Sequence, residues 1–276
     1  MKAVKSIITV CLLSLLSLQP ASATASPTIK KAEQINAILE KTGFNKLLKH
    51  TPNFSQSVLK QSSGALEPEM GSALSAAFTQ AFATAAVQRD INHVLEAHYN
   101  EAHATAYLKH LNSALSLKMA KLESDTNNPA NREDIKAFSA ALTNQPTAAS
   151  RSKLIEHLDK ATRTTDFSID MQTAFFKAIF VAIEPVMEAD MRISEDELEK
   201  MVSEVRTSLE EGLRNNTRLS FLYAFRNISD AELQSYIDIC ESEEYRWGIQ
   251  LLGNAMISAI NQAADRAALS MSQNNR

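Results

Sequence analysis

Ser194-Glu195-Asp196-Glu197-Leu198-Glu199-Lys200-Met201-Val202-Ser203-Glu204-Val205-Arg206-Thr207-Ser208-Leu209-Glu210-Glu211-Gly212-Leu213 is the stretch that decides the fold class. Ser194 can accept from the N–H of Glu197, and the Glu197 carboxylate can return to the N–H of Ser194, which is a capping box. Behind it Leu198, Met201, Val202, Val205, Leu209 and Leu213 recur with the 3.6-residue period of one helix face. The pattern predicts a long amphipathic helix. Toward the C-terminus, Ser229-Asp230-Ala231-Glu232 reads as a second box, backed by Leu233, Tyr236, Ile237 and Cys240. Ser242 then caps a last helix with Trp247, Leu251, Leu252, Ala255, Met256, Ala259 and Ile260 on one face.

Toward the N-terminus the punctuation is again helical. Phe175 to Val186 reads as a core helix, kinked at Glu184-Pro185. Asn144-Gln145-Pro146 and Asp125-Thr126-Asn127-Asn128-Pro129 are breaks, with Asn131 as a cap for a short helix from about Arg132 to Leu142. An alanine-rich helix is expected to run unbroken from about Glu69 into the nineties, after a connector over Gln61 to Gly71. Thr51-Pro52 reads as an N-cap and first helical position. Thr28 to Lys41 sets Ile29, Ala32, Ile35, Ile38 and Leu39 near one face, and Gly43 suits a left-handed cap. Six glycines in 276 residues and no sustained alternation argue against sheet. The expected fold is all-α, a multi-helix array or bundle.

Lys2 and Lys5, the apolar run Ile7 to Leu18, and Ala21-Ser22-Ala23 have the order of a removable export signal, with cleavage after Ala23 or Ala25. The run is too short to anchor in a bilayer, which takes about 20 residues. Removing 23 residues takes Lys2 and Lys5 from the 28 basic residues, against 32 acidic ones, so the mature chain carries −6. That acidity, with no basic run, argues against nucleic acid as a partner. No apolar stretch of about 18 residues follows the signal, so no transmembrane segment is expected in the mature chain. Cys240 is the one mature cysteine, which rules out an internal disulfide and reads as a small core residue. The expected location is the periplasm.

Residues 24–125 and 151–276 form two helical halves joined by 126–150. Arg89–Ser113 aligned with Arg218–Ser242 matches Arg89 with Arg218, Ala102 with Ala231, Tyr107 with Tyr236 and Ser113 with Ser242. Leu39-Glu40-Lys41 echoes Leu158-Asp159-Lys160 at an offset of 119 instead of 129. Four identities in 25 positions leave duplication open.

Leu222 to Leu233, continuing from Glu241 to Trp247, resembles the bacterial family called domain of unknown function 2059. The likeness rests on Ser229–Leu233 as its Ser-x-x-Glu-Leu helix start, Glu241-Ser242, and Arg246 beside Trp247. Glu243 and Tyr245 stand where that family carries proline and glycine. Ser113 to Lys118 is a fainter echo of the same segment. The resemblance implies an all-helical exported protein and no assigned activity.

No phosphate loop, nucleophile elbow or Cys-x-x-Cys is present, and no catalytic, metal or cofactor site is assigned. His93, His98, His103 and His110, with Glu96 and Glu101, lack a metal-ligand pattern on one face and read as a solvated helix surface. Tyr223, Arg226, Tyr236, Tyr245, Arg246 and Trp247 are the candidate interaction surface, set against ordinary packing between helices. The expected function is a non-catalytic binding or interaction module for a protein, peptide or apolar ligand, without a cofactor. The alternative is an envelope hydrolase whose carboxylates and histidines, Glu232 and His103 among them, meet only on folding.

Overall fold

The computed structural model describes residues 27–62, 68–126, 128–144 and 146–274. The expected export signal and its cleavage sites lie outside these residues. Twelve α-helices and no strand occur among them, which makes the chain an all-α helical array. The first half holds α1 (Pro27–Lys41), α2 (Phe44–Ser62), α3 (Pro68–Ala81), α4 (Thr84–Ala97), α5 (Glu101–Leu111) and α6 (Ala114–Thr126). A short 3₁₀ turn, Pro129–Asn131, and α7 (Arg132–Asn144) lead to α8 (Ala149–Thr162), α9 (Thr164–Ile183), α10 (Glu195–Ala224), α11 (Asp230–Cys240) and α12 (Glu243–Asn274). None of the described helices is long and apolar enough to cross a membrane.

Helix α12 is the axis of the molecule. Its face Leu252, Ala255, Met256, Ala259, Ile260, Ala263, Ala264, Ala267 and Met271 is buried, and it packs against α3, α4 and α5 as well as α9. Alanine at five of these nine inward positions lets several helices approach it closely. The two halves therefore share one continuous core.

Apart from α3, they also match in helix order. α5 and α11 have bounds 101 and 111 against 230 and 240, a constant offset of 129, and α6 and α12 start at 114 and 243 with the same offset. The caps match too. Asn100 accepts from His103 N and Ser229 from Glu232 N. Ser113 Oγ accepts from Ser116 N at 3.2 Å, and Ser242 Oγ from Tyr245 N at 3.3 Å. Upstream, a threonine at or just past the end of α1 and α8 bonds back four residues through its hydroxyl, Thr42 to Ile38 O at 2.8 Å and Thr162 to Leu158 O at 2.9 Å. Each is followed by a left-handed residue, Gly43 or Arg163. Those features fix the upstream register at 120, one residue from the offset of the Leu39–Lys41 echo.

Packing between the halves is reciprocal. α12 lies on α4 and α5, while α6 lies on α10 and α11. Within the halves, α1 on α5 and α2 on α4 answer to α8 on α11 and α9 on α10. Such an exchange is the signature of a two-fold relation, in which each unit offers its partner the same surface.

Several sequence expectations change. Thr51 and Pro52 lie inside α2 and do not start it. The buried stripe Phe44, Leu48, Thr51, Ser55 and Leu59 carries the helix through the proline, since packing outweighs the one lost bond. The alanine-rich helix is broken, because Ala83 is extended between α3 and α4. Arg266 of α12 donates to the freed Ala81 carbonyl at 3.0 Å, and its other terminal nitrogen pairs with buried Asp90 at 2.7 Å. Pro185 ends α9 in a 3₁₀ turn instead of kinking it. Ile29 and Ala32 are exposed, leaving Ile35, Ile38 and Leu39 as the inward face of α1. Asn128, not Asn131, supplies the accepting cap after the mid-chain break, from Ala130 N at 3.0 Å. The Ser194 box is complete. At Ser229, Glu232 instead turns one oxygen to Lys118 at 2.7 Å.

Candidate functional site

A cavity of about 300 Å³ opens where the halves meet. It is walled by the α1–α2 and α8–α9 junctions and by α5, α6, α11 and α12. Its lining comes in matched pairs: Thr42 with Thr162, Phe44 with Thr164, Tyr107 with Tyr236, Ser116 with Tyr245, Ala120 with Ile249, and Glu123 with Leu252. The first two pairs follow the 120 offset and the others the 129 offset. The cavity thus straddles the two-fold relation, with one wall from each half.

Helix α5 buries Ala104 and Tyr107 on its inner face, so the Tyr107 ring is fully enclosed. It meets Tyr245 edge-on, centroids 5.4 Å apart at 84°, and lies against the backbone of Gly248. A methyl group at Gly248 would come within 2.3 Å of the Tyr107 ring, so glycine is what admits it. The Tyr107 hydroxyl is buried and has no hydrogen-bond partner among the described residues. An unpaired buried hydroxyl costs about 1–3 kcal/mol, and this one belongs to a cavity-lining side chain.

Tyr236, Tyr245 and Cys240 form a small hydrogen-bonded group beside it. Burial raises both tyrosines well above their ordinary range and pushes the Cys240 thiol up to about 12. Such a thiol stays protonated and unreactive at neutral pH, as a core residue does. Glu123 is different. It lines the cavity from α6, and desolvation by the surrounding protein raises it to about 7. Its remaining accessibility is partial, as expected for a group with one side on a void.

The six residues singled out in the sequence do not form one surface. Tyr236 and Tyr245 line the cavity. Tyr223 is buried elsewhere, edge-on to Phe138 of α7 at 5.5 Å, with the Arg226 guanidinium 3.9 Å over its ring. Arg246 is exposed beside Lys160, Arg163 and Glu241. Trp247 is half-buried and stacks on His103, centroids 5.5 Å apart. Of the other histidines, His93 and His98 are exposed, and His110 stands 3.8 Å from Glu244. Among the described residues no three His, Cys, Asp or Glu side chains gather as metal ligands.

The sequence did carry a signal for Glu123. Ser116, Met119, Glu123 and Thr126 fall at the 3-4-3 spacing of one helix face, and the other three are buried. A carboxylate on an inward stripe is the informative exception.

The arrangement defines a class: an all-helical protein of two interlocked halves with a mixed aromatic, aliphatic and polar cavity between them. Comparison with protein-family models, curated proteins and solved structures found no match.

Proposed function

We propose that the mature chain is a non-catalytic ligand-binding protein, exported to the periplasm, which holds a small and largely apolar molecule between its halves. The observation that carries this reading is a 300 Å³ cavity where the halves meet, lined by Phe44, Tyr107, Phe167, Tyr236 and Tyr245 together with a few polar side chains. Cavities of that size, mostly apolar with a few convergent polar groups, are the usual form of a small-molecule site. The basic, apolar and small-residue order of residues 2–25 supports export. The likeness of residues 222–247 to domain of unknown function 2059, a family of exported proteins, supports the same location.

The test uses a neutral apolar fluorophore, N-phenyl-1-naphthylamine, and a protein in which the cavity is filled. Gly253 lines the cavity, and a Cβ there meets nothing nearer than Phe167 at 3.7 Å. Gly253→Leu therefore adds a side chain without displacing backbone and removes a helical glycine that costs about 1 kcal/mol. Saturable one-site binding in the wild type, weakened at least tenfold in Gly253→Leu with no loss of thermal stability, is the expected result. Absent binding, or binding indifferent to the substitution, overturns the reading.

A further inference from the structure

A second pocket, of about 190 Å³, adjoins the cavity and shares Ile249 with it. Lys160 near the end of α8, Arg163 between α8 and α9, and Arg246 in the first turn of α12 line it, with Glu241 and Gln250. All five are exposed. Ala161 and Ile249 are the apolar part of the lining. In a chain that is acidic as a whole, this spot sets three positive charges against one carboxylate. That carboxylate is engaged elsewhere, since Glu241 stands 2.8 Å from the His157 ring nitrogen. Lys160 and Arg246 have no ion-pair partner among the described residues. Arg163 reaches Asp170 at 3.6 Å, and Arg206 holds that same acid more closely.

Among the described residues Arg163 is also the one non-glycine with a positive φ, 55°. Glycine takes that conformation freely and arginine only at a cost, and the matched place in the first half holds Gly43. Strain kept at one residue points to a use for its side chain. Arg246 likewise stands at the register of Leu117. The lysines do not follow the match, since Lys41 and Lys121 of the first half fall opposite Ala161 and Gln250. What is particular to this side is the pair of arginines. A guanidinium fork fits the oxygens of phosphate or carboxylate, whereas an ammonium acts as a point charge. Three cations on one pocket exceed what the two oxygens of a carboxylate need. A phosphate monoester offers three acceptor oxygens and close to two negative charges.

We propose that this pocket binds the phosphate group of a phosphate monoester, gripped by Arg163 and Arg246 with Lys160, its organic part lying against Ala161 and Ile249. The site is separate from the binding role proposed for the cavity, because none of the three cations lines that cavity.

Calorimetric titration of the full mature protein at low ionic strength, with inorganic phosphate, octyl phosphate and acetate, tests this. Both phosphates bind, and acetate binds about tenfold more weakly than inorganic phosphate or not at all. Arg246→Ala and Arg163→Gly each weaken both phosphates by about tenfold, the loss expected for one charge-assisted contact. Arg163→Gly relieves the left-handed backbone, so binding lost there is not folding lost. Lys109→Ala removes the same charge from an exposed position of α5 outside the pocket and changes binding by less than about twofold. A grip on octyl phosphate tighter than on inorganic phosphate identifies a lipid-like ester as the source of the group, and equal affinities identify a soluble one. Absent binding of both phosphates, acetate bound as tightly as phosphate, or a loss in Lys109→Ala equal to that in Arg246→Ala overturns the proposal. Phosphate binding without fluorophore binding leaves this site standing and removes the role proposed for the cavity.

Discussion

Helices α4–α5–α6 and α10–α11–α12 occupy matched places in the two halves, yet what they kept and what they lost differ in kind. Caps, the bounds of α5 and α11, the starts of α6 and α12 and the buried tyrosines Tyr107 and Tyr236 coincide across the offset of 129. Side chains facing the junction do not. Position 248 is a glycine pressed by Tyr107, while its counterpart 119 is a fully buried methionine. Glu123 stands opposite the register of Leu252. Backbone-defining residues are constrained locally by hydrogen bonds that each half needs. Residues at the junction answer to the other half and to whatever lies in the cavity, so they are free to diverge as a pair.

The sharpest way to break that comparison is at Gly248. Gly248→Ala places a Cβ within 2.5 Å of three atoms of a ring that has no exposed surface to retreat to. Tyr107 must then leave its site or α12 must shift, and overpacking of this severity costs roughly 3 kcal/mol or more. A urea midpoint lowered accordingly, with loss of fluorophore binding, is expected. A neutral Gly248→Ala would mean that the Tyr107 wall is soft and that the halves need not interlock here.

The Glu123–Leu252 difference is read by pH. Desolvation raises the Glu123 carboxyl to about 7 in the folded chain, against an ordinary 4.5. A raised carboxyl pKa means that the folded state holds the proton more tightly, so stability is greatest below about 4.5 and declines as pH rises through 7. Two and a half pH units correspond to at most about 3 kcal/mol, reduced by whatever water or ligand reaches the cavity. Glu123→Gln has no proton to lose there. Its stability should exceed that of the wild type at pH 8 by about 2–3 kcal/mol and converge with it below about pH 4.5, as followed by urea unfolding on both sides of that range. A gain in stability at pH 8 that disappears in acid would identify Glu123 as a group retained at a cost to the fold.

Much of this frame was legible in the chain because its signals are local. The Ser194 box, the Ser242 cap, the break at Asp125–Pro129 and the apolar face of α12 each depend on residues within one or two turns. The misreadings share a cause at long range. Pro52 is carried through α2 by a buried stripe. The α3–α4 break has no glycine or proline, and its free carbonyl is met by Arg266 from 185 residues away. Tyr236 and Tyr245 were visible as aromatic anchors. Tyr223, Arg226, Arg246 and Trp247 were grouped with them by nearness in sequence, which successive turns of helix then separate. The cavity needs eight helices to close around it, and Glu123 becomes informative only once α6 has an inward face.

The smallest effect tests the upstream half of the comparison. Gly43 and Arg163 both adopt the left-handed conformation between paired helices, at φ 71° and 55°. In this region a side chain costs about 1 kcal/mol and glycine nothing. No atom lies within 4 Å of a Cβ built on Gly43, so Gly43→Ala reports backbone strain alone and should lose about 1 kcal/mol. Arg163→Gly should move the other way by a smaller amount. It relieves the same strain, but it frees an extra residue in the unfolded chain and gives up an exposed ion pair with Asp170 at 3.6 Å. Thermal midpoints of the two variants should therefore shift in opposite directions, the fall at residue 43 being the larger. Shifts of the same sign would mean that the two junctions are alike only in outline, and that the register of 120 between α1–α2 and α8–α9 carries no common physical constraint.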